Sequence, residues 1–378
     1  MLKICHIITK LELGGAQQNT LYTVGHLDRK RFEPVLIAGK GGILDSEAAA
    51  LPQVPIHFVS SLGREINPFF DLITLIQLWR ILRKERPQVV HTHSSKAGIL
   101  GRWAARLAGV PVIIHTFHGF AFHDYQSKFV KQFYVLLERL TAAVTDTFIA
   151  VTSKDIQKGL AHGIGQKERY RLIRSGIDLS YYKMLSVNRT VKRTSLGLSD
   201  EHGVVTTIGP FKPQKNLFDF VRVAAMVSAR VPSARFLMVG DGDQRKDIEA
   251  LIGEMKLSGI VSLLGWRRDA GEILAASDLF VLTSLWEGLP RSILEAMILG
   301  LPVVANAVDG AREIVADGRT GYLVKPGDRE RMAADIIKLL QDSALSRQMG
   351  ECGRGYINNE YDINFMVRQQ EDLYCKTY

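Results

Sequence analysis

Asp278-Leu-Phe-Val-Leu-Thr-Ser-Leu-Trp-Glu-Gly-Leu-Pro-Arg-Ser-Ile-Leu-Glu-Ala-Met-Ile-Leu299 changes character halfway along. Asp278–Thr283 reads as a buried strand. Beyond Pro290 the apolar residues take helical spacing, with the proline near the first turn, where its missing N–H costs least. Glu287 therefore falls in the loop at the carboxyl end of a strand, and Glu295 about a turn and a half inside the next helix. Free N–H groups and the dipole make such a helix start favourable for phosphate. Two carboxylates flanking an anion site suit a ligand with a diphosphate in the middle and hydroxyl-rich groups at each end, as in a nucleotide sugar. The plainer reading is an ordinary strand–loop–helix with one Glu on the dipole and the other solvated. The rest of the chain decides between them.

Outward from this stretch the strand-then-helix alternation continues in both directions, which predicts an α/β protein with parallel sheets covered by helices. In the first half, strands are expected at Lys3–Thr9, Pro34–Ala38, Val89–His93, Val112–Phe117 and Thr147–Val151. The second half offers Val204–Ile208, Arg235–Val239, Val261–Leu264, Leu279–Thr283, Pro302–Ala305 and Gly321–Val324. Each half has the size of one doubly wound domain. The boundaries are placed after residues 185 and 355, giving domains 1–185 and 186–355 and a terminal helix over 356–378. Open parallel sheets bind ligands outside the carboxyl ends of their strands, so two such domains face to face would hold two substrates across one cleft.

The 378 residues carry a net charge of +9, unevenly spread: residues 1–185 hold 24 Lys+Arg against 14 Asp+Glu, and residues 186–378 hold 24 against 25. A basic first half suggests a polyanion or an anionic membrane surface as partner. Phe120-Ala-Phe-His-Asp-Tyr-Gln-Ser-Lys-Phe-Val-Lys-Gln-Phe-Tyr134 interleaves aromatics with Lys128 and Lys131 and, with Arg80, Arg83, Lys84 and Arg86, would seat the protein on an anionic leaflet. The alternative is that these aromatics belong to the core of a helix over 127–143. No apolar run approaches a membrane span. Met-Leu-Lys-Ile-Cys-His-Ile-Ile-Thr9 lacks a cleavage site, and three cysteines without metal spacing fit a reducing compartment. The expected location is cytoplasmic, peripheral on the inner face of the membrane. No nucleic-acid-binding module appears. Gly14-Gly-Ala-Gln-Gln-Asn19 lacks the third glycine of a dinucleotide fingerprint, which argues against a dehydrogenase.

In chain order the landmarks are Gly14-Gly-Ala-Gln17, Val89-Val-His-Thr-His-Ser-Ser-Lys-Ala-Gly98, His115-Thr-Phe-His-Gly119, Gly176-Ile-Asp178, Lys212-Pro-Gln-Lys215, Gly240-Asp-Gly242, Glu287 to Glu295 and Gly318-Arg-Thr-Gly-Tyr322. As a set they resemble the family-4 glycosyltransferases of the GT-B fold, in the bacterial branch that builds polysaccharides. The resemblance implies two Rossmann-like domains facing across a cleft, the first binding the acceptor and the second the nucleotide sugar, with the C-terminal helix crossing back to the first. It implies a retaining, metal-independent transfer from a nucleotide sugar (a UDP-sugar, or else a GDP-sugar) to a hydroxyl of a lipid-diphosphate-linked saccharide. No cofactor is expected.

The same resemblance assigns roles. His118, beside the donor sugar, and Glu287, on its hydroxyls, join Lys215 as the catalytic residues. Glu295 accepts from the ribose hydroxyls. Lys215, with Lys212, holds the departing diphosphate. Gly14, Gly15, Gly240, Asp241, Arg267, Gly288, Leu289 and Arg291 complete the donor set, the paired glycines being expected at positive φ; His93, Lys96, Phe120 and Lys128 are the acceptor candidates. Two positions depart from the family pattern: Gln17 stands where Glu is frequent, and Pro210 where Arg is usual. Asp241-Gly-Asp243 reads as a turn rather than a cation site. His91 and His93 share a strand face, yet no carboxylate or thiolate nearby completes a metal set. The rival activities are a non-hydrolysing UDP-sugar 2-epimerase and a non-catalytic nucleotide-sugar-binding partner.

Overall fold

Every strand pairs in parallel with its neighbours, in two separate sheets. The computed structural model describes residues 1–378, and the chain divides into one unit of Met1–Gly176 with Ile363–Tyr378 and another of Ile177–Asp362.

In the first unit the strands are β1 (Leu2–Lys10), β2 (Phe32–Gly39), β3 (Ile56–Val59), β4 (Val89–His93), β5 (Val112–Phe117), β6 (Thr147–Ala150) and β7 (Tyr170–Leu172), ordered β3-β2-β1-β4-β5-β6-β7. Its helices are α1 (Gly15–His26), α2 (Asp45–Ala49), α3 (Pro68–Glu85), α4 (Ser95–Ala108), α5 (Lys128–Ala142) and α6 (Ser153–Ala161). Helices cover both faces, so the central strands are buried along their length rather than alternating between buried and exposed. Local chemistry sets the ends. Asn67 accepts from the N–H groups of Phe69 and Phe70, Pro68 opens α3, and Arg86 closes it in the left-handed conformation.

The second unit opens with α7 (Leu179–Met184) and α8 (Arg189–Ser195). There follow β8 (Gly203–Ile208), α9 (Leu217–Ser228), β9 (Ala234–Val239), α10 (Arg245–Glu254), β10 (Val261–Gly265) and α11 (Ala270–Ala275). The remainder is β11 (Leu279–Leu282), α12 (Arg291–Ile298), β12 (Val303–Asn306), α13 (Ala311–Ile314), β13 (Gly321–Val324), α14 (Arg329–Gln341) and α15 (Ser343–Tyr356). Its strand order, β10-β9-β8-β11-β12-β13, repeats the doubly wound pattern. The last helix, α16 (Ile363–Thr377), belongs to the first unit, where Ile363, Met366, Val367 and Tyr374 pack with Ile4, Val89 and Ile114.

Three expectations differ in detail. The split falls at Gly176/Ile177, not after residue 185, because α7 packs on α12 of the second unit and Tyr182 hydrogen-bonds Glu295. The terminal segment is not one helix: Tyr356 ends α15, and α16 starts only at Ile363. The edge strands β3 and β7 have no counterpart in the sequence reading, being short and partly exposed.

Candidate active site

In a doubly wound sheet the ligand crevice opens where neighbouring strands send their helices to opposite faces. In the second unit that point lies between β8 and β11, which pair at Leu279↔Val205 and Phe280↔Thr206. The loop after β8 runs Gly209-Pro-Phe-Lys-Pro-Gln-Lys215 and ends in a single turn, Pro213–Lys215, closed by Asn216 at φ 47°. The loop after β11 is stitched to it. Thr283 Oγ1 donates to the Lys215 carbonyl (2.8 Å), and the Leu285 N–H to the Gln214 carbonyl (2.8 Å). Those bonds bring the Lys215 ammonium to Glu287 Oε1 at 2.6 Å, with both side chains nearly buried. Gln214 Nε2 donates to Glu287 Oε2 (3.3 Å) and the Trp286 carbonyl (2.9 Å), while the Glu287 N–H donates to Asp309 Oδ2 (3.0 Å).

Two glycines make room for this pair. A Cβ on Gly209 would lie 2.8 Å from Lys215 Cε, so the lysine stem rests against bare backbone. Gly240, at φ +139°, approaches so closely that a Cβ would stand 2.0 Å from the Gly209 carbonyl oxygen.

Glu295 lies one helical turn from Arg291 on α12, with Arg291 Nη2 3.6 Å from Oε1. Burial pushes its carboxyl above the usual range, against the pull of Arg291 and a hydrogen bond from Tyr182. Gly288 and Leu289 are buried in the turn before Pro290. Asp241 serves the turn after β9: Oδ1 accepts from the Gly242 N–H (2.8 Å) and Oδ2 pairs with Arg245 at 3.1 Å. Arg267 forms a two-pronged pair with Asp269 (2.7 and 2.6 Å), which holds that carboxyl well below its usual range. Lys212 starts the turn that ends at Lys215, its carbonyl accepting the Lys215 N–H (2.9 Å).

The other nominated residues lie in the first unit. Gly14 caps α1 in an extended conformation (φ −143°), and neither it nor Gly15 takes positive φ, contrary to expectation. What glycine provides is room: a Cβ at Gly14 would meet Gln17 Oε1 at 2.6 Å. His118, just past β5, contacts His93 at the end of β4 (Nε2 to Nδ1, 3.2 Å). Lys96, in the first turn of α4, is paired with Asp71 at 2.6 Å and donates to the Glu65 carbonyl. Phe120 belongs to the core, packed against Phe117 and Phe122 with tilted rings, because the chain turns inward after Gly119; it is not on an acceptor surface. Lys128 is exposed at the start of α5. The aromatics of 120–134 thus divide, Phe120 and Phe122 being buried while Phe129 is 90% exposed.

A cavity of about 520 Å³ opens among β1, β4, α3, α4 and α5, lined by Lys10, Gln17, Arg64, Asp71, Ser94 and Lys96 and by Ile66, Ile99, Leu100, Phe133 and Leu137. Deeper in the sheet, ring nitrogens of His6, His91 and His93 lie within 4.8 Å of one another. His6, on β1, carries no motif and escaped the sequence reading, as did Tyr182, Asp309 and Tyr374. Only the β1/β4 register, with His6 opposite His91, reveals the cluster.

Residues 13–181 match the family model for Glycosyltransferase Family 4, and residues 188–356 that for Glycosyl transferases group 1. The chain is 35% identical over 376 residues to the UDP-Gal:alpha-D-GlcNAc-diphosphoundecaprenol alpha-1,3-galactosyltransferase of Escherichia coli, covering 99% of this chain and 96% of that one. It is 23% identical to the capsular polysaccharide biosynthesis glycosyltransferase CapM of Staphylococcus aureus, over 88% of each. The fold is similar to that of Anabaena HepE solved with UDP and glucose, at a TM-score of 0.86, 20% identity and full coverage of both chains. The lipopolysaccharide glycosyltransferase WaaG shares it at a TM-score of 0.81 and 18% identity, over 99% of each chain. With matched models spanning both units and a relative aligned end to end, the chain belongs to the family-4 glycosyltransferases of the GT-B fold.

Proposed function

We propose that the protein transfers a hexosyl or N-acetylhexosaminyl group, with retention of configuration, from a UDP-sugar to a hydroxyl of a lipid-diphosphate-linked saccharide, at the cytoplasmic face of a bacterial membrane. The observation that carries this reading is the 2.6 Å Lys215–Glu287 pair at the switch point of the second sheet, with Glu295 on the helix that follows. As the bond from the anomeric carbon to the diphosphate breaks, negative charge grows on the leaving oxygen. A fixed ammonium there stabilises the transition state more than the ground state. Lys215 is that cation, and Lys212 adds charge that the usual arginine would supply at Pro210. Glu287 orients Lys215 and accepts from sugar hydroxyls, while Glu295 accepts from the ribose diol. The donor set also takes the backbone at Gly14, Gly15, Gly240, Asp241, Gly288 and Leu289, with Arg267 and Arg291. In this reading no divalent cation takes part.

Retention without a carboxylate positioned as a covalent nucleophile points to same-face attack, in which the departing phosphate takes the acceptor's proton. His118, neutral through burial, stands beside the sugar without opposing positive charge at its anomeric carbon. The largely apolar cavity beside Ser94 and Lys96 suits a lipid-linked acceptor, with Lys96 among its polar lining residues. The UDP-Gal and diphosphoundecaprenol in the Escherichia coli relative's name, and the UDP bound to HepE, support the donor and acceptor classes.

The test is a panel of UDP- and GDP-sugars offered with a synthetic polyprenyl-diphosphate saccharide, with and without chelator. A UDP-sugar should give a product of retained configuration at a rate that chelator leaves unchanged. No transfer from any donor, or isomerisation of the donor without acceptor, would overturn the reading; the second result would identify an epimerase.

A further inference from the structure

The buried histidines of the first sheet form a chain whose geometry restricts where their protons sit. Strand residues alternate faces, so His6 on β1, His91 and His93 on β4, and Thr116 on β5 all point to the face that α16 covers. His118 Nε2 meets His93 Nδ1 at 3.2 Å, and His93 Nε2 meets His6 Nδ1 at 3.0 Å. His6 Nε2 faces the Tyr374 hydroxyl at 3.5 Å, and that hydroxyl meets His91 Nδ1 at 2.7 Å. His91 Nε2 ends the run at Thr116 Oγ1, 2.6 Å away.

Burial pushes His6 down to about 3 and His118 to about 4, and His91 and His93 also lie well below the ordinary histidine value. All four rings are therefore neutral near pH 7, and each carries one N–H. In each ring-to-ring contact one nitrogen must donate and the other accept, so a single proton fixes the direction of the whole run. Tyr374 has one hydroxyl proton, and its shortest contact is with His91 Nδ1. Giving the proton there, or to Gln370 Oε1 at 3.3 Å, leaves the phenol oxygen to accept from His6 Nε2. His6 Nδ1 then accepts from His93 Nε2, and His93 Nδ1 accepts from His118 Nε2.

We propose that Tyr374, on the last helix, sets the tautomer of His118 through His6 and His93, leaving His118 Nδ1 unprotonated as an acceptor. Tyr374 is thus a positioning residue that acts on the sugar-side histidine from the C-terminal helix. The consequence for catalysis, that His118 Nδ1 accepts a hydrogen bond from a hydroxyl of the transferred sugar, rests on the function proposed above; the tautomer itself does not.

The intact protein labelled with 15N at histidine is examined by long-range proton–nitrogen correlation, the His118 ring being identified by its loss in His118→Gln. In the wild-type protein, without ligand, His118, His93 and His6 should each be protonated at Nε2 and bare at Nδ1. A His118 protonated at Nδ1 in the wild-type protein overturns the proposal. So does one equivalent of tightly held zinc removable by chelator, since three neutral histidines bound to metal would leave no such run. In Tyr374→Phe the buried His6 N–H loses its acceptor, which is costly. A second population of His118 protonated at Nδ1 should appear, and kcat should fall about tenfold with KM for the donor unchanged. An unaltered His118 spectrum in folded Tyr374→Phe sinks the relay. A shifted spectrum with unaltered kcat sinks only the catalytic role of His118.

Discussion

Lys215 uses one of its three N–H bonds on Glu287, leaving two for a diphosphate, and the carboxylate in turn fixes where the ammonium sits. Removing the lysine therefore has two separable effects. Lys215→Ala should slow transfer by about 10²–10³, the scale of one preorganised donor to a developing oxyanion. It should also destabilise the fold by about 3–5 kcal/mol, because Glu287 is left buried and unpaired. Adding Glu287→Gln removes the orphaned charge, so the double variant should regain most of its resistance to urea and none of its rate. Turnover in the double variant near wild type would refute the phosphate role. Both charged partners were legible in the sequence, because lysine and glutamate in loops after strands carry an evident chemistry. Their companions were not. Tyr182 and Asp309 matter only because folding brings them to Glu295 and to the Glu287 N–H, and no local pattern encodes such a contact.

At the level of elements, α3 and α5 bury little of their apolar surface. Phe69 is 69% exposed on α3 and Phe129 90% on α5, where Phe133, Leu136 and Leu140 are also exposed. Large apolar patches on a soluble surface mark a partner or a membrane. Arg80, Arg83 and Lys84 on α3 and Lys128 on α5 add positive charge. No helix is long and apolar enough to cross a membrane. The proposed acceptor is lipid-linked, so vesicles containing anionic lipid should retain the protein, less so at high salt. Phe129→Ser and Leu136→Ser should each weaken retention about tenfold, the lower end of burying one large apolar side chain, while transfer to a short-chain soluble acceptor continues. Equal sedimentation of wild type and the double variant with those vesicles would dismiss the patch as a lipid contact. Periodicity placed α5 well but could not tell an exposed aromatic from a core one. That distinction depends on which neighbours the fold supplies: Phe120 and Phe122 find Phe117 and Phe148, whereas Phe129 finds none.

At the scale of the whole molecule, the repeated strand-and-helix pattern made two doubly wound units readable, since buried parallel strands are rich in apolar, β-branched residues. The edge strands and the split at Gly176 were not, because exposed residues at an edge carry little pattern and α7 is held by tertiary contacts with α12. One difference between the units is chemical: nine of the ten histidines lie in the first, and only His202 in the second. Five of the nine, His6, His91, His93, His115 and His118, are depressed by burial. In the unfolded chain such groups titrate near 6.5. Below that pH the unfolded state binds protons that the folded first unit refuses, until the depressed values near 4 and 3 are reached. The stabilisation is complete above about pH 6.5 and is lost as the pH falls, by about 1.4 kcal/mol per pH unit for each such histidine. Glu295 in the second unit has the opposite sign: its raised carboxyl is relieved, not strained, by acid. Between pH 7 and 5 the first unit should therefore weaken steeply while the second changes little. Amide exchange followed by mass spectrometry should show β1, β4 and β5 losing protection before β8 and β11. A melting temperature that is flat over this range, or earlier loss from the second sheet, would contradict a first sheet built around neutral histidines.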